Sequence, residues 1–328
     1  MSGTLYFEDT NIGDQLPPLS KLITTGMLVR YAGASRDFSQ LHYDQEWAKA
    51  TNVWGGIIAH GMVKATFSAQ LLTDWAGPVG VVRELKCFYR GPDKPGDTVH
   101  IRGQVVNKLE RDGEHLVEVD TEVVGTEERR TTPGHGVVAL PSREHPDERP
   151  SLVRILDEEA RAKRMGTIKG EEAQEPDEVR DLLGVSWEPY TAEVNSTWIT
   201  MFAEATEDVN PLYTDPEFAK ATPHGSMIAP PTFLAALDPV YRRTRATFKP
   251  QPVVSPSSFR GGGNGWDEFL WYAPVRPGDT VTAYGKWHEV YEKTGRSGRL
   301  VFLVREVEYE NQRRELVARS QGAVVRIG

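Results

Sequence analysis

Cysteine is almost absent: Cys87 is the only one in 328 residues. A lone thiol excludes an intramolecular disulfide framework and a zinc site built from cysteines, and it fits a reducing cytoplasm. No stretch of about 18 consecutive apolar residues occurs, so no membrane-spanning helix is expected. Positive charge is not in excess either. The net charge of −9 argues against a nucleic-acid-binding face, though it leaves room for a local basic pocket that takes an anionic ligand. The opening MSGTLYFEDTNIGD has neither the basic start nor the apolar run of a secretory signal. His100, His115, His135 and His288 stand at no metal-ligand spacing, so no metal is expected.

What is present is a message stated twice. YAGASRDFSQLHYDQEWAKAT (31–51) aligns without a gap on FAEATEDVNPLYTDPEFAKAT (202–222), at an offset of 171. WGGIIAHGM (54–62) pairs with HGSMIAPPT (224–232), PGDTVHIRGQV (95–105) with PGDTVTAYGKW (277–287), and GVVAL (136–140) with AVVRI (323–327). A period this long is a domain duplication, not a solenoid, and the chain is long enough for two cores. The parts divide it into a first domain over 1–141, a charged linker over 142–184, and a second domain over 185–328. Within the linker the composition suggests a short helix around 151–164 and a looser stretch at 165–177. The RAKR run at 161–164 reads as a solvated helix face.

Each half has the same order of parts. An extended opening leads to the Asp-containing segment, then to a turn, an apolar helix and several alternating strands. Met62, Val63, Phe67, Leu71, Leu72 and Trp75, with Ala65, Ser68 and Ala69 between them, predict a helix buried on most sides, stopped by Gly77-Pro78. Pro230-Pro231 suit the first turn of its counterpart. HLVEVDTEVVG (115–125) and LVFLVREVEYE (300–310) alternate as strands do, and both Pro-Gly-Asp triplets read as turns. One long helix packed on an antiparallel sheet, twice over, is an α+β architecture.

The two copies differ where chemistry would reside. Asp37 is followed five residues later by His42. The second copy keeps Asp208 but has Tyr213 in place of the histidine. Five residues turn a helix by about 140°, so Asp37 and His42 converge only through a turn, which Phe38-Ser39-Gln40 supply. Together they are suited to moving protons to and from water near neutral pH. At the start of the buried helix, the N–H of Gly61 and the positive helix end suit a developing oxyanion.

RDFSQLHYDQEWAKATNVWGGIIAHGM resembles the signature of the MaoC-like, (R)-specific enoyl-CoA hydratases: an Asp, any residue, Asn-Pro, an aliphatic and His, then a run to Ala-His-Gly-Met. FAEATEDVNPLYTD (202–215), MIAPPTF (227–233) and GGGNGWDEFLWYAPVRPGDTV (261–281) resemble the non-catalytic domain of that superfamily. The resemblance implies a tandem hot-dog fold, each unit a long central helix wrapped by an antiparallel β-sheet. It implies reversible addition of water to a trans-2-enoyl-CoA, giving a (3R)-hydroxyacyl-CoA. Asp37 and His42 then activate the water and the Gly61 N–H stabilises the enolate, with Ser39, His60 and Gly56 on the substrate side. No cofactor is implied beyond the CoA or acyl-carrier-protein thioester itself.

Two positions depart from the pattern: Ser39 stands for the family Asn and Gln40 for the Pro. The second half, with Tyr213 and Pro230-Pro231, is expected to do no chemistry and to form the other wall of the tunnel, with Asp208 capping a turn. Small Ala235-Ala236 and the glycines at 261–263 leave room for a bulky acyl group. A hot-dog thioesterase and a partner-dependent acyl-CoA-binding subunit stay open as alternatives, as does a homodimer.

Overall fold

The computed structural model describes residues 4–52, 54–145, 150–153, 182–239, 261–295 and 298–328. The first half begins with β1 (Leu19–Leu22), followed by α1 (Thr25–Ser35), α2 (Gln45–Thr51) and α3 (Gly61–Ala76). Four strands follow: β2 (Val81–Phe88), β3 (Thr98–Arg111), β4 (Glu114–Val124) and β5 (Arg130–Leu140). The second half repeats this order with β6 (Tyr190–Glu193), α4 (Ser196–Ala205), α5 (Pro211–Thr214), α6 (Pro216–Lys220), β7 (Gly261–Trp271), β8 (Thr280–Gly295), β9 (Gly298–Glu310) and β10 (Leu316–Ile327). Of the expected helix around 151–164, residue 151 is irregular and 152–153 form a bend; the rest of it, the looser stretch and the RAKR run lie outside the described residues.

The ten strands of the described residues join one antiparallel sheet. Its order from the centre is β2-β5-β4-β3-β1 on one side and β7-β10-β9-β8-β6 on the other. Equivalent strands therefore meet at the junction, where Glu84 pairs with Leu270 and Phe88 with Trp266. The duplication has become a pseudo-two-fold, and the residues just beyond β2 lie beside the start of β7. Both Pro-Gly-Asp triplets turn the chain into β3 and β8, with Gly96 at φ 99° and Gly278 at φ 90°, which glycine adopts at no steric cost.

The core sits between this sheet and the helices. α3 buries Met62, Val63, Phe67, Leu71 and Leu72, and also Lys64, Thr66 and Ser68, so it is enclosed on nearly every side. It ends at Gly77, as the sequence predicts. The matching segment of the second half is described as a 3-10 stretch, Pro231–Leu237, with Pro231 in its first turn; residues 240–260 lie outside the described residues. α1 packs against α4, with Tyr31 and Phe202 ring centroids 5.6 Å apart and Trp198 donating Nε1–H to the Ala34 carbonyl at 2.7 Å. The second repeated aspartate is a helix cap in both halves. Asp44 accepts from the Trp47 N–H, and Asp215 from those of Glu217 and Phe218.

Candidate active site

α1 ends on Arg36, which takes a left-handed conformation (φ 63°) and swings the chain off the helix axis. Asp37 follows. Its N–H donates to Ser35 Oγ at 3.3 Å, and its Oδ1 accepts the Ser39 N–H at 3.2 Å. That Asx-type turn leads into the 3-10 turn Gln40–His42, so the five-residue spacing closes through a turn. His42 is 8% exposed, and its Nδ1 lies 2.8 Å from the Ile58 carbonyl. A carbonyl only accepts, so Nδ1 carries the proton and Nε2 keeps its lone pair.

His60 lies behind His42, its ring stacked with centroids 3.6 Å apart. The edge of Tyr31 meets it from another side at 5.1 Å, and its Nε2 is 3.4 Å from the Asp37 carbonyl. Burial holds the His42 pKa below its ordinary value, against the pull of the Asp37 charge and of the bond to Ile58. Burial also holds His60 well below, aided by neighbouring His42 and opposed by the Asp37 carbonyl. Both rings are therefore neutral at pH 7. Each of Asp37, His42 and His60 offers one ligand atom within 4.8 Å of the others. His42 Nδ1 and His60 Nε2 each face a backbone carbonyl, those of Ile58 and Asp37, so these two nitrogens are engaged within the protein.

Gly61 is the first residue of α3, so its N–H belongs to the turn whose donors no intrahelical carbonyl accepts. The chain just before it is fixed by two backbone bonds. Ala59 N–H donates to the Asp93 carbonyl at 2.8 Å, and Ile58 N–H to that of Leu41 at 3.4 Å. One turn into α3, Lys64 pairs with the Asp93 carboxylate at 3.0 Å, with side chains 3% and 0% exposed. Lys64 also donates to the Gly91 carbonyl at 2.7 Å.

Asp37, Ser39, His42 and Gly61 all line one cavity of about 630 Å³. Its far wall comes from the second half: Gly262, Gly263 and Asn264 on β7, and Val324 and Arg326 on β10. A Cβ on Gly263 would meet only the edge of Trp54, at 4.0 Å, so Gly263 leaves open space; a Cβ on Gly262 would collide with the Val325 carbonyl, and buried Ala235 and Ala236 do not line this cavity, so the room expected from them is not found there.

Two expected substrate-side residues stand elsewhere. His60, at 1% exposure, supports His42 from behind and is not on the cavity wall. Gly56 is buried in the preceding loop, where its carbonyl accepts from Asn52 Nδ2 at 3.0 Å; a Cβ there would meet the Gln45 amide at 2.8 Å. Gly56 thus lets the loop pack and does not touch the cavity.

In the second half, Asp208 accepts the Asn210 N–H at 3.0 Å, the same turn that Asp37 makes. Tyr213 is 1% exposed, and Pro231 has no N–H at the position of Gly61. Tyr89 on the cavity wall, and the buried Asp267 to which it bonds, carry no sequence signal; the pairing joins residues 178 apart.

Residues 10–127 match the family described as MaoC like domain, and residues 181–320 the family described as FAS1-like, dehydratase domain region. The chain is 41% identical over 100 residues to a UPF0336 protein of Streptomyces avermitilis, covering 29% of this chain and 59% of that one. It is 37% identical over 95 residues to an (R)-specific enoyl-CoA hydratase of Rhodospirillum rubrum, covering 29% and 65%. It is 31% identical over 148 residues to a 3-hydroxybutyryl-CoA dehydratase of Methylorubrum extorquens, covering 44% and 88%. The first two matches thus span about three-fifths to two-thirds of the relatives' own length. Among solved structures, a MaoC domain protein dehydratase from Chloroflexus aurantiacus superposes with a TM-score of 0.69 at 12% identity, covering 98% of this chain and 97% of that one. A Mycobacterium tuberculosis protein described as having a double hotdog fold gives 0.66 at 15% identity, with 98% of each chain covered. The chain belongs to the MaoC-like dehydratase family and has the double hot-dog fold.

Proposed function

We propose that this protein adds water reversibly to a trans-2-enoyl thioester carried on CoA or an acyl carrier protein, giving the (3R)-hydroxyacyl thioester. The observation that carries this reading is the pair of proton acceptors facing one cavity. Asp37 is a carboxylate, and neutral His42 presents Nε2 because Nδ1–H is committed to the Ile58 carbonyl. A water between them donates one hydrogen to each, which leaves its oxygen lone pair for carbon 3 of the substrate.

In the addition, Asp37 takes a proton from water as the oxygen bonds to carbon 3. The π electrons move to the thioester oxygen as an enolate, which the Gly61 N–H and the α3 dipole stabilise. Carbon 2 then takes the proton back from the dyad, so the sum is one water added and the site is restored. Dehydration is the same path reversed. Ser39, standing for the family Asn, lines the cavity and supplies a hydroxyl in place of an amide.

Stereochemistry tests this reading. Purified protein is given (3R)- and (3S)-hydroxybutyryl-CoA, and enoyl-CoA is measured by its conjugated absorbance. The expected result is dehydration of the (3R) substrate alone. Reaction of the (3S) substrate, or release of free thiol in place of enoyl-CoA, contradicts it; thiol release is the outcome of a thioesterase.

A further inference from the structure

Tyr89 follows β2 and lines the cavity with its ring against Gly61. A Cβ on Gly61 would lie 3.1 Å from two ring carbons of Tyr89. The hydroxyl donates across the junction to Asp267 Oδ2 at 2.8 Å. Asp267 is 1% exposed, and its other oxygen accepts from Arg305 Nη2 at 2.6 Å. Arg305, equally buried, also donates its Nε–H to Asp238 at 2.6 Å. Burying three charges is a poor route to stability, because apolar residues of the same volume hold a core as well or better. What this trio does provide is a fixed acceptor for the Tyr89 hydroxyl.

The second half supplies an internal comparison. Tyr89 corresponds to Trp271 when the halves are aligned on the shared Pro-Gly-Asp-Thr-Val, and Gly61 to Pro231 when WGGIIAHGM is aligned on HGSMIAPPT. Trp271 donates Nε1–H to the Pro231 carbonyl at 2.8 Å. In both halves, then, an aromatic at the end of the junction strand holds the first residue of the central segment. The means differ. Trp271 binds a backbone carbonyl of its own half, whereas Tyr89 is anchored to a carboxylate of the other half. The first-half counterpart of Asp267 is Leu85, so the carboxylate occurs only where the aromatic faces the catalytic glycine.

We infer that Tyr89 is a positioning residue for the Gly61 oxyanion donor, held in place by Asp267 and Arg305 of the second half. This rests on the hydratase reading. The second half thereby acts on the chemistry through Tyr89 as well as walling the cavity. The ring presses the Gly61 peptide into one orientation and excludes water from its outer side, which keeps the donor aimed at the thioester oxygen.

The test uses Tyr89→Phe, which keeps the ring and drops the anchor, Asp267→Asn, and Trp271→Phe as the control from the inert half. Two readouts are taken on the full chain: steady-state hydration of crotonyl-CoA, and hydrogen exchange of the peptide containing residues 59–62. The expected result is a kcat loss of about 10- to 100-fold with KM unchanged for Tyr89→Phe and Asp267→Asn. Exchange at 59–62 rises in both, and the double variant is no worse than the poorer single one. Trp271→Phe leaves kcat and this exchange as in wild type. Unchanged kcat and exchange in Tyr89→Phe overturn the inference, as does an equal kcat loss in Trp271→Phe. If wild-type protein hydrates nothing, the proposed function falls alone; faster exchange in Tyr89→Phe then supports the anchor, and unchanged exchange overturns it.

Discussion

His42 and His60 stack face to face at 3.6 Å, and only His42 lines the cavity. The rear ring keeps water away from the front one, and burial is what lowers the pKa of His42. His60→Ala opens a void behind His42 and admits solvent, which moves that pKa up toward its ordinary value. Protonated His42 no longer accepts from water, so the acid limb of the kcat/KM profile shifts to higher pH. His60→Phe keeps the buried stack and leaves the limb near its wild-type position. A pH–rate profile of the three proteins measures this; coincident acid limbs contradict it.

Stability follows the same histidines. His42 and His60 are held below their ordinary pKa, and buried His224 is pushed down to about 4 by burial and by Arg276. The unfolded chain binds protons near pH 6.5 and the folded one resists them. The stability these groups contribute is complete above about pH 6.5 and is lost as pH falls toward 4. The contribution of these histidines to the urea unfolding midpoint is expected to be about flat from pH 7.5 to 6.5 and to fall steeply below it, against the opposite slope of Asp208. His224→Gln should make the decline shallower.

Asp208 behaves in the opposite sense. Burial pushes its carboxyl up to about 7, with the Asp74 charge adding to the rise and Lys21 opposing it. The unfolded group ionises near pH 3.8, so stability falls as pH rises through the interval up to about 7. Asp208→Asn keeps an oxygen for the Asn210 N–H and removes the buried charge. It is expected to stabilise the protein at pH 8 by a few kcal/mol and to leave hydration unchanged. A kcat loss equal to that of Asp37→Asn would show that the second half also performs chemistry.

Lys64 and Asp93 form a buried pair one turn from Gly61. Lys64→Met leaves the Asp93 carboxylate buried with, among the described residues, the Thr131 hydroxyl, which donates at 2.8 Å. The expected cost is about 3–5 kcal/mol by denaturant unfolding. Adding Asp93→Asn is expected to recover most of it, because the uncompensated charge is the main penalty. A double variant no more stable than Lys64→Met contradicts this.

The duplication, the buried helix and the Asp37–His42 turn were legible because each follows from local pattern. Apolar spacing marks α3, and the gapless repeat exposes the exchange of His42 for Tyr213. The repeat also shares Asp44 and Asp215, and it is the structure that shows both as helix caps. His60 and Gly56 mark the limit of motif reading. Membership in a motif does not say whether a side chain faces the cavity or packs behind one that does. Tyr89, Asp267 and Arg305 were illegible for another reason: their contacts form only when two equivalent strands of distant halves meet at one sheet junction.

Asp37 and His42 are proposed to hydrate an enoyl thioester together. The most direct test follows the enoyl absorbance and free thiol together, with crotonyl-, octenoyl- and a bulky cyclic enoyl-CoA, for wild type, Asp37→Asn and His42→Ala. Enoyl absorbance is expected to fall with no thiol released, at rates lower by about 10²- to 10⁴-fold in each variant. Wild-type protein that leaves all three substrates unchanged, or variants as fast as wild type, would contradict it.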